Sequence, residues 1–155
     1  MEIADLITPD AVVAHLKASN KKQVLQELAA KAAALTKLPE RRIFEILSER
    51  EKLGSTGMGQ GVAIPHGRFA GVEHMTGLFA RLDSPVDFDA MDDQRVDLFF
   101  LLMAPEGAGA DHLKALARVS RLLRNQAICE KLRAATQPAA LYALLTEPSA
   151  STQAA

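Results

Sequence analysis

A single cysteine in 155 residues excludes an internal disulfide and any metal site built on several thiolates. Cys129 is expected to serve as a small buried hydrophobe. No apolar run approaches the roughly 18 residues of a membrane span, and Met1-Glu2-Ile3-Ala4-Asp5 lacks the character of a signal peptide. Membrane insertion is therefore not expected, and a cytoplasmic location is. Neither sign of charge dominates: 18 Lys and Arg stand against 19 Asp and Glu, for a net charge of −1. Phosphate-backbone binding needs a basic excess, so nucleic acid is not an expected partner. The patterns H-x-x-x-H and H-E-x-x-H and any Cys/His cluster are missing, so no metal or other cofactor is expected. No serine lies in a G-x-S-x-G elbow. Internal repeats and long linkers are also absent, and at 48% apolar and 24% charged residues the chain has the composition of one globular domain.

What the chain does have is glycine in one place. The stretch Gly54-Ser55-Thr56-Gly57-Met58-Gly59-Gln60-Gly61-Val62-Ala63-Ile64-Pro65-His66-Gly67 holds five of its nine glycines. Glycine permits positive φ and close approach to the backbone, so a shaped loop is expected. It reads neither G-x-x-x-x-G-K-[ST] nor G-x-G-x-x-G, which leaves nucleotide binding unsupported. Val62-Ala63-Ile64 is a short strand, and Pro65 removes a ladder donor. A strand end at Ile64, His66 just beyond it and a tight turn at Gly67 follow as expectations.

Around this loop the pattern is that of an α/β domain. Val12, Ala14 and Leu16 alternate with Val13, His15 and Lys17 as in a half-buried strand. Ser19 or Asn20 can cap a helix carrying Val24, Leu25, Leu28, Ala29, Ala32 and Leu35 on one face. Pro39 suits the start of a second helix, whose face of Ile43, Ile46 and Leu47 continues to Arg50, nearly two turns after Ile43. Met75 to Leu82 reads as a strand broken by Asp83-Ser84-Pro85. Arg95 to Met103 reads as a strand covered on both faces. Asp111 can cap a third helix with Leu113, Leu116, Ala117, Ser120 and Leu123 inward. Two more helices follow, from about Asn125 with Ile128, Cys129 and Leu132, and from Thr136 to about Glu147 with Leu141, Leu144 and Leu145.

Three residues stand out chemically: His66 beside the glycine loop, His112 at a helix start, and Arg50 on an inward face. Together they suit phosphoryl transfer through histidine. A neutral imidazole is nucleophilic without a metal, and such transfers are catalysed mainly by positioning and charge stabilisation. Loop amides, a guanidinium and a second imidazole at a helix N-terminus can supply both. The plainer readings are a structural loop histidine at 66, a surface histidine at 112 and a snorkelling Arg50 paired with a carboxylate. His15 and His74 belong to no constellation. Met58, Val62 and Phe69 flank the loop and are expected to offer some apolar surface to a partner.

The run from Arg50-Glu51-Lys52-Leu53-Gly54 through Ile64-Pro65-His66-Gly67 resembles the signature of the enzyme IIA domains of the fructose/mannitol class of the bacterial phosphoenolpyruvate-dependent phosphotransferase system. It is most similar to the stand-alone nitrogen-regulatory branch. The resemblance extends over residues 6–147, through Asp83-Ser84-Pro85-Val86-Asp87-Phe88-Asp89-Ala90 and Val96 to Leu102, and leaves 148–155 as a flexible tail. It implies a single α/β domain with a mixed β-sheet flanked by helices on both faces. It also implies a protein-histidine phosphotransferase role: His66 accepts phosphate, at Nε2, from a histidine-phosphorylated carrier protein, and His112, in an H-L motif, and Arg50, heading R-E-K-x-G, stabilise it. Gly54, Ser55, Thr56, Gly57, Gly59 and Gly61 are then expected to form the phosphate-binding loop. Two outlets remain open. The phosphorylation state can regulate partners in nitrogen-, carbon- or potassium-linked control, or the phosphate can pass to a IIB domain of a fructose- or mannitol-type permease. A fused IIB or membrane domain is absent from these 155 residues, which favours regulation. A third reading is a non-enzymatic module that holds a phosphorylated metabolite, which the paired histidines oppose.

Overall fold

The computed structural model describes residues 1–147; the expected tail, 148–155, lies outside them. Two short 3-10 turns, Ile3–Asp5 and Pro9–Ala11, precede β1 (Val12–Val13). Then come α1 (Lys21–Thr36), α2 (Glu40–Lys52), β2 (Gly57–Gly59), β3 (Val62–Ala63), β4 (His66–Phe69), β5 (Thr76–Val86), β6 (Val96–Pro105), α3 (Ala110–Leu123), α4 (Gln126–Ala134) and α5 (Pro138–Thr146). The sheet runs β1-β5-β6-β3-β2, with β4 also paired to β6. It is mixed: β5 and β6 pair antiparallel, as do β2 and β3, while β1 lies parallel to β5 and both β3 and β4 lie parallel to β6.

The near-continuous apolar run of β6 divides by period two, as a strand buried on both faces must. Leu98, Phe100, Leu102 and Ala104 pack with Ala115, Val119, Leu132, Leu141 and Leu145 of α3 to α5. Phe99, Leu101 and Met103 pack with Val24, Leu28, Ile43 and Leu47 of α1 and α2. Helices therefore cover both faces, as expected. The helix ends follow local chemistry. Asn20 caps α1 by accepting from the Gln23 amide at 2.9 Å. Asn125 caps α4 through the Ile128 amide. α5 begins on Pro138, where a missing N–H costs nothing.

Two expectations need correction. Only Val12 and Val13 of the first predicted strand join the ladder, although Ala14 and Leu16 stay buried and His15 and Lys17 exposed. Beyond Val13 the backbone keeps one bond to β5, from the Leu16 amide to the Arg81 carbonyl, and the Arg81 guanidinium donates to the Ala14 carbonyl. Nor does Asp83-Ser84-Pro85 end β5. The pairing shifts from Arg81↔Leu98 to Val86↔Val96, so these exposed residues bulge out, and a bulge tolerates a proline that a regular ladder would reject.

Candidate functional site

His66 opens β4. Pro65 has no N–H to give, so the ladder lapses after β3, but its carbonyl accepts from Leu102 at 2.9 Å and pairing with β6 resumes at His66↔Leu102. The tight turn expected at Gly67 does not exist. Gly67 sits inside the strand opposite Met103, and its small size answers a different need. A Cβ there would lie 2.9 Å from Cγ2 of Ile46 on α2.

Because side chains alternate along a strand, His66 shares the face of Leu102, toward α3. There it meets His112. The two ring centroids are 5.6 Å apart and the planes are inclined by 72°. His112 lies in the first turn of α3, after Gly109, whose φ of 53° marks the N-cap. Asp111 is a first-turn acid and not the cap. The expected inward face of α3 is also out of phase: His112, Ala115, Val119 and Leu123 are buried, whereas Leu113 is 69% exposed. Rotating the helix to bury the imidazole carries Leu113 out to solvent.

The ring atoms carry further information. Nδ1 of His66 lies 2.8 Å from the Ile64 carbonyl oxygen. A carbonyl only accepts, so Nδ1 carries the proton and Nε2 of the neutral ring keeps its lone pair. Burial pushes the basicity of His66 below its ordinary value of 6.5. The Ile64 bond opposes that shift, Arg50 adds to it, and Glu51 opposes it more weakly. His112 is 8% exposed, and burial lowers its basicity too, with help from His66 and Arg68. Nε2 of His112 is buried with no hydrogen-bond partner among the described residues, an orphaned polar atom beside a nucleophilic ring.

Arg50 is half-buried near the end of α2 and donates from Nη1 to the Gly54 carbonyl at 2.9 Å. The fully inward residue of that turn is its neighbour Glu51. Glu51 accepts from the Thr56 amide and hydroxyl and pairs with Lys21 at 2.9 Å. No short sequence motif announces this Lys21–Glu51–Thr56 clasp, since it joins residues on α1, α2 and the loop. The loop beyond it is tied inward. The Ser55 hydroxyl donates to Phe88 and accepts from the Gly57 amide, while the Gly54 amide donates to Glu51.

Much of the hydrogen-bonding capacity of the expected phosphate cradle is thus used within the protein. The amides of Gly54, Thr56 and Gly57 and both hydroxyls serve the loop itself. Gly59 and Gly61, at φ 98° and 83°, shape the β2–β3 hairpin. The Gly61 carbonyl meets Asp97 and Leu98, about 13 Å along β6 from the partner of His66, at roughly 3.3 Å per residue. Val62 and Phe69 are buried in the core and Met58 is half-buried, so only Met58 is left of the apolar surface expected around the loop. Arg68, two residues beyond His66 and on the same strand face, escaped the sequence reading. The turn expected at Gly67 hid the period-two signal that would have found it.

Comparison with known proteins gives the family. The family profile of the phosphoenolpyruvate-dependent sugar phosphotransferase system, EIIA 2, matches residues 5–147. A nitrogen regulatory protein of Bradyrhizobium diazoefficiens is 61% identical over 150 residues, 97% of this chain and 98% of that one. One from Pseudomonas aeruginosa is 39% identical, over 95% and 96%. The crystal structure of nitrogen regulatory protein IIA-Ntr from Neisseria meningitidis matches with a TM-score of 0.87 at 39% identity, over 93% of this chain and 99% of that one. No helix among the described residues is long and apolar enough to cross a membrane. A profile spanning nearly all the described residues, together with relatives aligned almost end to end, makes this chain a member of the EIIA 2 family of the phosphoenolpyruvate-dependent sugar phosphotransferase system, whose domains carry phosphoryl groups between proteins.

Proposed function

We propose that residues 6–147 form a cytoplasmic phosphoryl carrier that takes phosphate on Nε2 of His66 from a histidine-phosphorylated carrier protein, and that protein partners read the resulting state. The observation that carries this reading is the imidazole pair, with His66 Nδ1 held by Ile64 and the His112 ring 5.6 Å away. In the transfer, the Nε2 lone pair forms a bond to phosphorus as the donor's N–P bond breaks, and the electron pair returns to the donor imidazole. No net proton and no metal are needed.

Arg50 spends Nη1 on Gly54 and keeps Nε and Nη2 without a partner among the described residues. Two donors remain for phosphoryl oxygens, in the fork geometry that lysine lacks. The orphaned Nε2 of His112 is a further group with unused capacity at the pair. Regulation in nitrogen-, carbon- or potassium-linked control is favoured over sugar transport because the relatives matched almost end to end are named nitrogen regulatory proteins.

The test is incubation with the general phosphotransfer proteins and labelled phosphoenolpyruvate, with and without a IIB domain of the fructose or mannitol type. The expected product is acid-labile, base-stable label on His66 that does not pass to IIB. Rapid passage to IIB would overturn the regulatory part, and absence of label on His66 would overturn the whole reading.

A further inference from the structure

The face that carries His66 carries a second cation. β4 pairs in register with β6, His66 against Leu102 and Arg68 against Ala104. Leu102 and Ala104 both pack under α3 with Ala115 and Val119, so residues 66 and 68 present their side chains to the same side. Arg68 is exposed and makes no ion pair or side-chain hydrogen bond among the described residues. It lies near enough to His112 to act on that ring's charge. No carboxylate pairs with it among the described residues. Glu51 is committed to Lys21 and Thr56, and Asp111, beside His112 at the start of α3, forms no bridge to it. Side chains two apart on a strand stand roughly 7 Å apart, and an arginine's own length spans that gap.

We infer that Arg68 is a third phosphoryl-contacting residue, gripping the group on His66 from the α3 face while Arg50 reaches it from α2. The inference rests on His66 as the acceptor. Two guanidiniums on different elements would hold phosphoryl oxygens that one fork leaves open, and an exposed arginine can do so without obstructing the donor. The alternative, that Arg68 merely attracts a partner protein, makes a different prediction, because a small phosphodonor has no partner surface to attract.

Phosphoramidate separates the two. Its phosphorus accepts the Nε2 lone pair of His66 as its P–N bond breaks and ammonia leaves. With the full chain, the wild type is expected to take phosphate on His66, and His66→Ala none. Arg68→Gln should react about tenfold more slowly, the loss of one charge-assisted contact, with Arg68→Lys intermediate. In phosphorus NMR titrations the phosphohistidine of Arg68→Gln should hold its last proton to higher pH than wild type, because a cation favours the dianion. Unchanged rate and unchanged titration in Arg68→Gln would overturn the role of Arg68 and leave His66 as acceptor. A wild type that takes no phosphate on His66 would overturn both. Thermal midpoints of the Arg68 variants should match wild type, which keeps a rate loss from being read as unfolding.

Discussion

Thr56 donates both its amide and its hydroxyl to the carboxylate of Glu51, and Glu51 in turn pairs with Lys21 at 2.9 Å. A single buried side chain thus joins α1, α2 and the root of the glycine loop. Removing one partner of a buried pair leaves the other charge unmatched, at about 3–5 kcal/mol. Glu51→Ala strips the acceptor from two Thr56 donors as well, and chemical denaturation should show a loss in that range. Phosphorylation should also slow, because the Arg50–Gly54 contact hangs from the same loop. A variant with wild-type stability would show that the clasp is dispensable.

Gly67 should tolerate no side chain. A Cβ at 2.9 Å from Ile46 Cγ2 forces α2 away from β4, and overpacking of this kind costs about 1–3 kcal/mol. Gly67→Ala should be destabilised by that amount, and Ile46→Ala should restore part of it, so that the double mutant is better than additive. Strictly additive losses would place the cause in backbone conformation instead.

The phase of α3 can be tested with two glutamates. Leu113→Glu should change stability by less than about 0.5 kcal/mol, as surface substitutions do. Ala115→Glu puts an unpaired charge into the core and should unfold the domain or cost more than about 3 kcal/mol. The opposite ranking would restore the face read from apolar spacing.

This contrast shows what was legible. Asn20, Pro39 and Asn125 mark helix starts by local chemistry, and the structure puts boundaries at all three. β6 was plain from its apolar length. α3 was misphased because its inward face is led by a histidine, which apolar periodicity scores as surface. Pro65 and Gly67 carried turn signals that pairing with β6 overrides, and that override also concealed Arg68. Glu51 and Lys21 lie thirty residues apart, a link that no local pattern holds. His66 and His112 were found by chemistry and motif, and their distance came only from the packing of α3 on β6, beside β4.

Acidification should weaken the fold through the imidazole pair. Burial, first among the causes, holds both rings below the ordinary 6.5, so folding favours their neutral forms. Their contribution is fully present above about pH 6.5, the unfolded value. It is lost as pH falls through the lower folded values. The thermal midpoint should drop across that window, and His112→Ala should flatten part of the drop. The rate of phosphate acceptance should hold level down to below pH 6.5 before falling, because only neutral His66 is a nucleophile. A rate that already declines above pH 7 would contradict the direction of the shift.

The last expectation separates the two histidines. His66 has Nδ1 bound to Ile64, which leaves Nε2 as the atom proposed to accept phosphate. His112 has a buried Nε2 with no hydrogen-bond partner among the described residues, and on the proposed reading that atom gains a partner only when the neighbouring ring carries a phosphoryl group or approaches the transition state for receiving one. Deleting a donor used chiefly there typically costs on the order of 10²–10³ in rate, about 3–4 kcal/mol. His112→Ala should therefore still fill to full stoichiometry, but slowly, whereas His66→Ala should take no acid-labile phosphate. Stability should separate them from an ordinary core deletion too. Removing an unsatisfied buried polar atom relieves a desolvation cost of about 1–3 kcal/mol, which offsets the lost packing, so His112→Ala should fold nearly as well as wild type. Arg50→Lys should behave like a milder His112→Ala, slowed but folded. Label on residue 112 in the His66 variant, or His112→Ala as fast as wild type, would mean that the 5.6 Å pair works otherwise than as acceptor and stabiliser.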